Sequence, residues 1–210
     1  MKQTKKAFDI QVTLASGSKY KNDVLSKLGI PFHSVSPNID ESTKSGESPE
    51  TLVTRLAKAK AEKVLGQSEE QRETSPLRFV IGVDQVAVHK GEIIGKPGNI
   101  ECAVQQLSNF SAEKVLFITG ICLLSSNNQY ETHVEPYEVS FKALSQRQIK
   151  QYIDAEMPLD CAGSFKCEGQ GILLFSALSG RDPNALIGMP LIALQELFLR
   201  FDLDLFDYIQ

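Results

Sequence analysis

The chain has 210 residues, which is enough for one large domain or two small ones. Hydrophobic residues make up 42% and charged residues 23% of the sequence, which is typical of a globular protein and excludes the disordered, collagen-like and coiled-coil classes. The 22 basic and 26 acidic residues give a formal net charge of −4, so we do not expect a nucleic-acid-binding surface, although a local cationic pocket is compatible with this charge.

Three features bear on cellular location. No apolar run is long enough for a membrane helix. The segment after the basic N-terminus is interrupted by Asp9 and Gln11, so it lacks the continuous apolar core of a secretory signal. The four cysteines form no CxxC pair, and with the three histidines they show no zinc-ligand spacing. Free thiols in a reducing compartment fit this pattern, and we therefore expect a cytoplasmic protein.

The first half of the chain alternates short apolar segments with helical patterns. Ser18 is a predicted N-cap of the first helix, and a polar loop that carries Asp40 and Glu41 precedes the second. The predicted elements are a strand around residues 12–14, a helix over 19–28, a strand over 30–35, the loop over 37–49, a helix over 50–65 and a polar connection over 66–76.

The second half continues the alternation. A buried-type strand ends at Asp84, and a hairpin turn is predicted at Lys90-Gly91. We predict further elements in this order: extended structure over 79–83 and 86–88, helix 99–108, strands 114–125 and 130–143, helix 145–154 with a Ser145–Gln148 capping box, an irregular stretch over 160–171, strand 172–175 and a helix from Pro190 at N1 to about 201. Interleaved strands and helices predict an α/β fold around one mixed, strongly twisted sheet flanked by helices.

The turn into the first helix has the composition of an anion site. Ser16 and Ser18 offer hydroxyls beside the backbone N–H groups and the positive end of the helix dipole. Lys19 and Lys21 add positive charge where a helix favours acidic residues, which suggests an anionic ligand. An ordinary capped helix with solvated lysines is the alternative.

Two further lysines and three acidic sites complete the candidate chemistry. Lys60 shares the apolar stripe of the second helix, where an ammonium needs an anion or a path to water. Lys96 is held extended by the following proline. The acidic sites are Asp84 at a strand end, the Asp40-Glu41 pair and Glu168. Lysines with carboxylates, and no nucleophile–histidine pair, favour magnesium-assisted phosphate chemistry over acyl transfer. A nucleophilic Cys161 or Cys167 is a weaker alternative, since no histidine is near in sequence.

These residues lie in segments that resemble the Maf family of nucleotide pyrophosphatases, whose α/β fold is related to that of inosine-triphosphate pyrophosphatases. The segments follow one another in the family's order: LASGSKYKNDVLSKLGIPF, Asp40-Glu41, RLAKAKA, VIGVDQVAV, GKP and Thr119-Gly120. The second half, with PLDCAGSFKCEGQGILLF and GRDPNALIGMPLIAL, is similar to the subgroup that hydrolyses 7-methyl-GTP. Asp84-Gln85 supports that subgroup, because the dTTP/UTP branch has Asp-Thr there.

The resemblance implies a role for each candidate residue. Asp84 matches the proton acceptor that activates water, and Glu41 matches the acidic partner of the metal or water. Both are therefore expected to ligate a divalent cation, Mg²⁺ or alternatively Mn²⁺. The expected catalytic residues are Asp84, Glu41, Lys60 and Lys96, and the expected substrate-binding residues are Ser16, Lys21, Tyr20, Gln85 and Glu168.

The sequence departs from the family at Lys19-Tyr20-Lys21, where the usual pattern is Pro-x-Arg. Lysine keeps the charge of the arginine but loses its bidentate fork, which bears on catalytic efficiency more than on reaction type.

We therefore predict a Maf-like domain over residues 1–210, with two lobes around an active-site cleft as an option. The expected reaction is hydrolysis of 7-methyl-GTP to the monophosphate and diphosphate. The alternatives are dTTP or UTP as substrate, or a non-catalytic, division-linked nucleotide-binding protein. We expect a small-molecule nucleotide as partner, with no nucleic acid and no membrane, and a homodimer is one option for the assembly.

Overall fold

A computed structural model describes residues 9–67 and 76–209 of the chain. The basic N-terminus and most of the predicted 66–76 connection lie outside these ranges. In the described residues, the strands are β1 (Ile10–Ala15), β2 (Phe32–Ser34), β3 (Leu77–His89), β4 (Glu92–Ile94), β5 (Lys114–Ser125), β6 (Tyr130–Phe141) and β7 (Phe175–Ser179). The helices of the same ranges are α1 (Lys19–Ser26), α2 (Pro49–Gly66), α3 (Ile100–Phe110), α4 (Gln146–Glu156) and α5 (Leu191–Leu199).

The strands of the described chain form one mixed sheet in the order β2-β1-β3-β5-β6-β7, and β4 pairs with β3 outside this path. β1 runs parallel to both β2 and β3, as expected when helices connect successive strands. The remaining pairs are antiparallel, including the long β3–β5 and β5–β6 ladders. The predicted α/β fold with a mixed sheet is confirmed.

Helix α2 lies directly on this sheet because small residues allow a close approach. Ala57 and Ala61 are fully buried on its inner face. A Cβ atom at Gly82 of β3 would overlap the carbonyl oxygen of Ala57, so only glycine fits between strand and helix. This contact places Lys60, on the same helix face, beside the middle of β3.

The apolar core is divided into two main clusters. One packs α1 and α5 against β1 and β3 and includes Leu14, Leu25 and Phe198. The other packs α3 and α4 against β5 and β6 and includes Phe117 and Phe165 among its rings. A cavity lined by residues packed in both clusters lies where they meet, and this cavity is the candidate site.

Local signals explain several element boundaries. Ser18, Ser48 and Asn99 each accept a backbone N–H at the start of a helix, and the capping box predicted for Ser145 and Gln148 is present. No helix in the described part of the chain is both long and apolar enough to cross a membrane.

Three predicted boundaries are wrong. β3 continues through Asp84 and Gln85, so Asp84 lies inside a strand and not at its end. Of the predicted strand over 172–175, only Phe175 lies in a strand, β7; the other residues belong to a 3₁₀ turn, Gln170–Leu174, at whose end the Phe175 N–H donates to the Ile172 carbonyl. Pro190 is the N-cap of α5 and not its first helical residue.

Candidate active site

The candidate site is a cavity of about 700 Å³ bounded by the start of α1, the inner face of α2, the middle of β3 and the segment 160–168. All nine residues that were expected to be catalytic or substrate-binding line this cavity, whereas Asp40 of the Asp40-Glu41 pair does not. The nine are Ser16, Tyr20, Lys21, Glu41, Lys60, Asp84, Gln85, Lys96 and Glu168. Their roles remain predictions, but the fold brings all of them together.

The turn between β1 and α1 is shaped by its serines. The Ser18 N–H donates to Ser16 Oγ at 3.1 Å, and Ser18 Oγ accepts the Lys21 N–H at 3.4 Å as the helix N-cap. Ser16 is buried, so its hydroxyl is fixed at the cavity wall. The turn thus presents a helix N-terminus to the cavity, as an anion site requires.

Lys21 lies at the same wall. Burial, together with repulsion from Lys60, lowers the pKa of its ammonium from 10.5 to about 8. The lysine stem is confined, since a Cβ at Gly188 would lie 2.9 Å from Lys21 Cε. An incoming anion would relieve the repulsion among the lysines.

Lys60 joins two carboxylates that come from different parts of the chain. Its Nζ lies 2.6 Å from Asp84 Oδ1 and 2.8 Å from Glu41 Oε1. Lys60 and Asp84 are both buried, whereas the Glu41 side chain is 56% exposed. The anion that a lysine on an apolar stripe needs is therefore supplied by the protein itself.

The pKa values in this triad have distinct causes. Burial acts to lower the pKa of Lys60, but the two carboxylates outweigh it and raise that pKa, so the lysine is a stable cation. Burial raises the pKa of Asp84, and the attraction of Lys60 offsets only part of this effect. Burial also opposes ionisation of Glu41, but its hydrogen bond to Lys60 lowers the pKa overall. The two carboxylates are therefore shifted in opposite directions: the pKa of Asp84 lies above its ordinary value and the pKa of Glu41 below its own.

The loop that carries Glu41 is tied to α2 by Arg55. The Arg55 guanidinium binds both carboxylate oxygens of Glu47, at 2.6 and 2.7 Å, and donates to the Ser42 carbonyl at 3.0 Å. This fork fixes the backbone next to Glu41. The sequence did not predict the ion pair between Arg55 and Glu47, although the segment from Arg55 to Ala61 was part of the family resemblance.

Gln85 follows Asp84 on β3, and its amide is held from two sides. Gln85 Nε2 donates to Thr119 Oγ1 at 2.9 Å and to the Ala185 carbonyl at 2.7 Å. The turn with Ala185 is fixed in turn by the buried Asp182, which accepts the Ile192 N–H of α5. These contacts orient the amide and leave Oε1 as the atom that can meet a ligand. No sequence signal pointed to the Ala185 carbonyl.

A second group of side chains surrounds Tyr20. Its electrostatic neighbours are Lys166, Cys161, Glu168 and Asp160, whereas those of Lys21 are Lys60, Asp84, Glu41 and Lys96. The cavity therefore has a lysine–carboxylate end and an aromatic–acidic end. After the ligand groups that the family resemblance predicts for them, we call them the phosphate end and the base end.

Two cysteines line the base end. Burial raises the pKa of Cys161 and of Cys167 to about 12. Each thiol also donates a hydrogen bond to a neighbouring carboxylate: Cys161 Sγ to Asp160 at 3.5 Å and Cys167 Sγ to Glu168 at 3.3 Å. Thiolates are the nucleophilic form, and these surroundings suppress them. The geometry therefore disfavours the alternative of a cysteine nucleophile.

The chain is similar to several known proteins. The chain is 50% identical over 189 residues to a protein of Idiomarina loihiensis named 7-methyl-GTP pyrophosphatase, covering 90% of this chain and 93% of that one. It is 49% identical to a protein of the same name from Pseudoalteromonas atlantica, covering 96% and 100% of the two chains. Among solved structures, it is similar to the Ham1 protein of Staphylococcus aureus, with 13% identity, 91% and 99% coverage and a TM-score of 0.45.

The family model described as Maf-like protein matches residues 11–201. This range includes every residue of the candidate site. The chain therefore belongs to the Maf family.

Proposed function

We propose that this protein is a nucleoside triphosphate pyrophosphatase that hydrolyses 7-methyl-GTP to 7-methyl-GMP and diphosphate. The observation that carries the proposal is the joining of Asp84, Lys60 and Glu41 in a cavity that also holds the α1 N-terminus and Lys21. The relatives named 7-methyl-GTP pyrophosphatase support the choice of substrate.

The phosphate end supplies what cleavage between the α- and β-phosphates needs. The cations Lys21, Lys60 and Lys96 bind phosphate oxygens and neutralise charge on the leaving diphosphate. Ser16 and the N–H groups at the start of α1 bind oxygens of the triphosphate.

Asp84 acts as general base in the proposed reaction. Lys60 binds one carboxylate oxygen, Oδ1, which leaves the lone pairs of Oδ2 for a water molecule and for the cation described below. The water oxygen forms a bond to the α-phosphorus, its proton passes to Asp84, and the bond from the α-phosphorus to the bridging oxygen breaks. The diphosphate leaves with the electron pair. A raised pKa makes Asp84 a better base at neutral pH.

We propose that Asp84 and Glu41 also hold a divalent cation, Mg²⁺ or Mn²⁺. Within residues 9–67 and 76–209, no protein hydrogen bond occupies the second carboxylate oxygen of either residue. Mg²⁺ commonly binds one or two carboxylates together with substrate phosphates and water, and this donor set fits it. When bound, the cation would neutralise phosphate charge and lower the pKa of a bound water.

The base end accounts for recognition of methylated guanine. Tyr20 offers a π face, and a cationic ring strengthens stacking on it. Glu168 can accept from the N1–H and the amino group of guanine, and its charge complements the positive ring. Gln85 Oε1 can read a further edge of the base. A pyrimidine matches none of these features as well.

The proposal also includes the cellular location, the extent of the domain and the assembly of the protein. We place the reaction in the cytoplasm, in accord with four free cysteines in the described chain. We retain a Maf-like domain over residues 1–210, and a homodimer as the assembly to test.

A nucleotide panel tests the proposed function. Purified protein with Mg²⁺ or Mn²⁺ is assayed on 7-methyl-GTP, GTP, dTTP and UTP, and kcat/KM is compared. We expect the highest value on 7-methyl-GTP. A preference for dTTP or UTP would transfer the proposal to the other branch of the family, and binding without turnover of any nucleotide would favour the non-catalytic reading.

A further inference from the structure

The turn that carries Glu168 is anchored on the C-terminal end of α4. The Lys166 N–H donates to the Tyr152 hydroxyl at 2.9 Å, and Lys166 Nζ donates to the Glu156 carbonyl at 2.7 Å. On the other side of Glu168, the Gln170 N–H donates to Glu156 Oε1 at 2.8 Å. The two α4 residues therefore hold the backbone both before and after Glu168.

The Glu156 carboxylate also packs against the backbone between these bonds. A Cβ atom at Gly169 would lie 2.6 Å from Glu156 Oε1, which is closer than nonbonded atoms approach. Glycine at this position allows the carboxylate to reach the Gln170 N–H. The turn and the carboxylate thus fit each other at contact distance.

Helix stability does not explain the carboxylate of Glu156. It stands in the last turn of α4, where the negative end of the helix dipole disfavours an acidic side chain. Tyr152 is buried, and a buried hydroxyl needs a partner, which here is the Lys166 N–H. Tyr152 and Glu156 both direct polar side-chain atoms to the backbone of residues 166–170. For Glu156, this position lowers the stability of α4.

We propose that Glu156, assisted by Tyr152, is a positioning residue for substrate selection: it fixes the turn 166–171 so that the Glu168 carboxylate stays at the base end of the cavity. Glu156 itself does not line the cavity, and it acts through Glu168. The consequence for nucleotide choice rests on the proposed function. The consequence for the order of the turn does not.

The test compares Glu156→Ala with Glu156→Gln, which keeps an Oε1 acceptor. Asp154→Ala, an exposed carboxylate on the same helix, is the matched control. Two quantities are measured on each folded variant: amide hydrogen exchange over residues 166–171, and kcat/KM with kcat and KM separated on 7-methyl-GTP and UTP.

For Glu156→Ala we expect exchange over 166–171 to accelerate about tenfold and the 7-methyl-GTP to UTP ratio of kcat/KM to fall about tenfold, through KM on 7-methyl-GTP. Activity on UTP should stay within about twofold, and Glu156→Gln and Asp154→Ala should resemble the wild type. Unchanged exchange in Glu156→Ala, or an equal loss on both nucleotides, would overturn the inference. Accelerated exchange in a protein whose wild type does not prefer 7-methyl-GTP would instead overturn the proposed function and leave the positioning of the turn in place.

Discussion

Asp84 has two properties that suit the general base of the proposed reaction, a raised pKa and a fixed carboxylate. Burial supplies the first property, and the 2.6 Å contact to Lys60 supplies the second. Lys60 keeps Glu41 as a second anion, so it would not become an unpaired buried charge if Asp84 were neutralised.

We predict that Asp84→Asn remains folded and loses activity by about 100-fold or more, the scale of a lost general base. The amide oxygen can still accept from Lys60, which limits the cost to stability. The measurement is kcat on 7-methyl-GTP together with circular dichroism, and Asp160→Asn serves as a control within the same cavity. Near wild-type turnover in folded Asp84→Asn would remove this residue from the mechanism.

We expect Lys21 to set an upper pH limit for the reaction. Its pKa is lowered from 10.5 to about 8, so the ammonium loses its charge as the pH rises through about 8, and anion binding weakens above that pH. In the free enzyme this loss appears in kcat/KM. We predict that kcat/KM of the wild type falls above about pH 8, whereas Lys21→Arg holds its value because arginine stays charged.

The measurement is a pH profile of kcat/KM for both proteins. Arginine should also lower KM through its bidentate fork. Parallel declines at the same pH would show that another group sets the limit. A folded but slower arginine variant at every pH would show that the confined wall near Gly188 fits only lysine.

Glu168 tests selection at the base end. Glu168→Gln keeps the size and hydrogen-bonding capacity of the side chain but removes its charge. We predict that the preference for 7-methyl-GTP over GTP and UTP weakens by about 1 to 3 kcal/mol, the range of a hydrogen bond to a charged group. The measurement is kcat/KM on the three nucleotides. Unchanged ratios would assign Glu168 to the shape of its turn.

At the scale of elements, local signals in the sequence predicted the helices better than the strand limits. The Ser18 cap and the Ser145–Gln148 capping box marked the starts of α1 and α4, and the predicted limits of α1 to α4 lie within about two residues of the observed ones. The apolar run over 172–175 was assigned to a strand, but Ile172 and Leu173 are exposed in a 3₁₀ turn. Short apolar runs carry no periodicity that separates a strand from a 3₁₀ turn, and the backbone bond from the Phe175 N–H to the Ile172 carbonyl has no sequence signature.

The contact between α2 and β3 yields a prediction at the same scale. Gly82→Ala would push α2, and with it Lys60, away from the sheet, because the new methyl group would overlap the Ala57 carbonyl. We predict a loss of about 1 to 3 kcal/mol or more in the free energy of unfolding, together with reduced activity. The measurement is urea denaturation. The control is Gly66→Ala in α2: the new methyl group would meet open space, so the free energy of unfolding should stay the same or rise.

At the scale of the whole molecule, the sequence predicted which residues line the cavity better than which atoms they contact. The mixed α/β fold and the Maf family were confirmed. The apolar stripe marked Lys60 as a lysine in need of an anion, yet its two partners lie in β3 and in the loop before α2. The Gln85 contact with the Ala185 carbonyl spans 100 residues of sequence, and a backbone carbonyl leaves no trace in residue type.

The two unlike ends of the cavity are lined by different parts of the chain. Side chains of α1, α2, β3 and the loop before α2 form the end with the lysines and carboxylates, and the segment after α4 brings Glu168 and the cysteines. A nucleotide also has two unlike ends, a polyanionic chain and an aromatic base, and the cavity matches both. Cleavage at the α-phosphorus follows if the base sits beside Tyr20 and the triphosphate reaches Asp84.

The most direct measurement of this central claim is product analysis of 7-methyl-GTP hydrolysis in ¹⁸O-labelled water. We predict equal amounts of 7-methyl-GMP and diphosphate, with the label on the monophosphate, because the water activated by Asp84 attacks the α-phosphorus. Formation of 7-methyl-GDP and inorganic phosphate, or label on the diphosphate, would contradict the account.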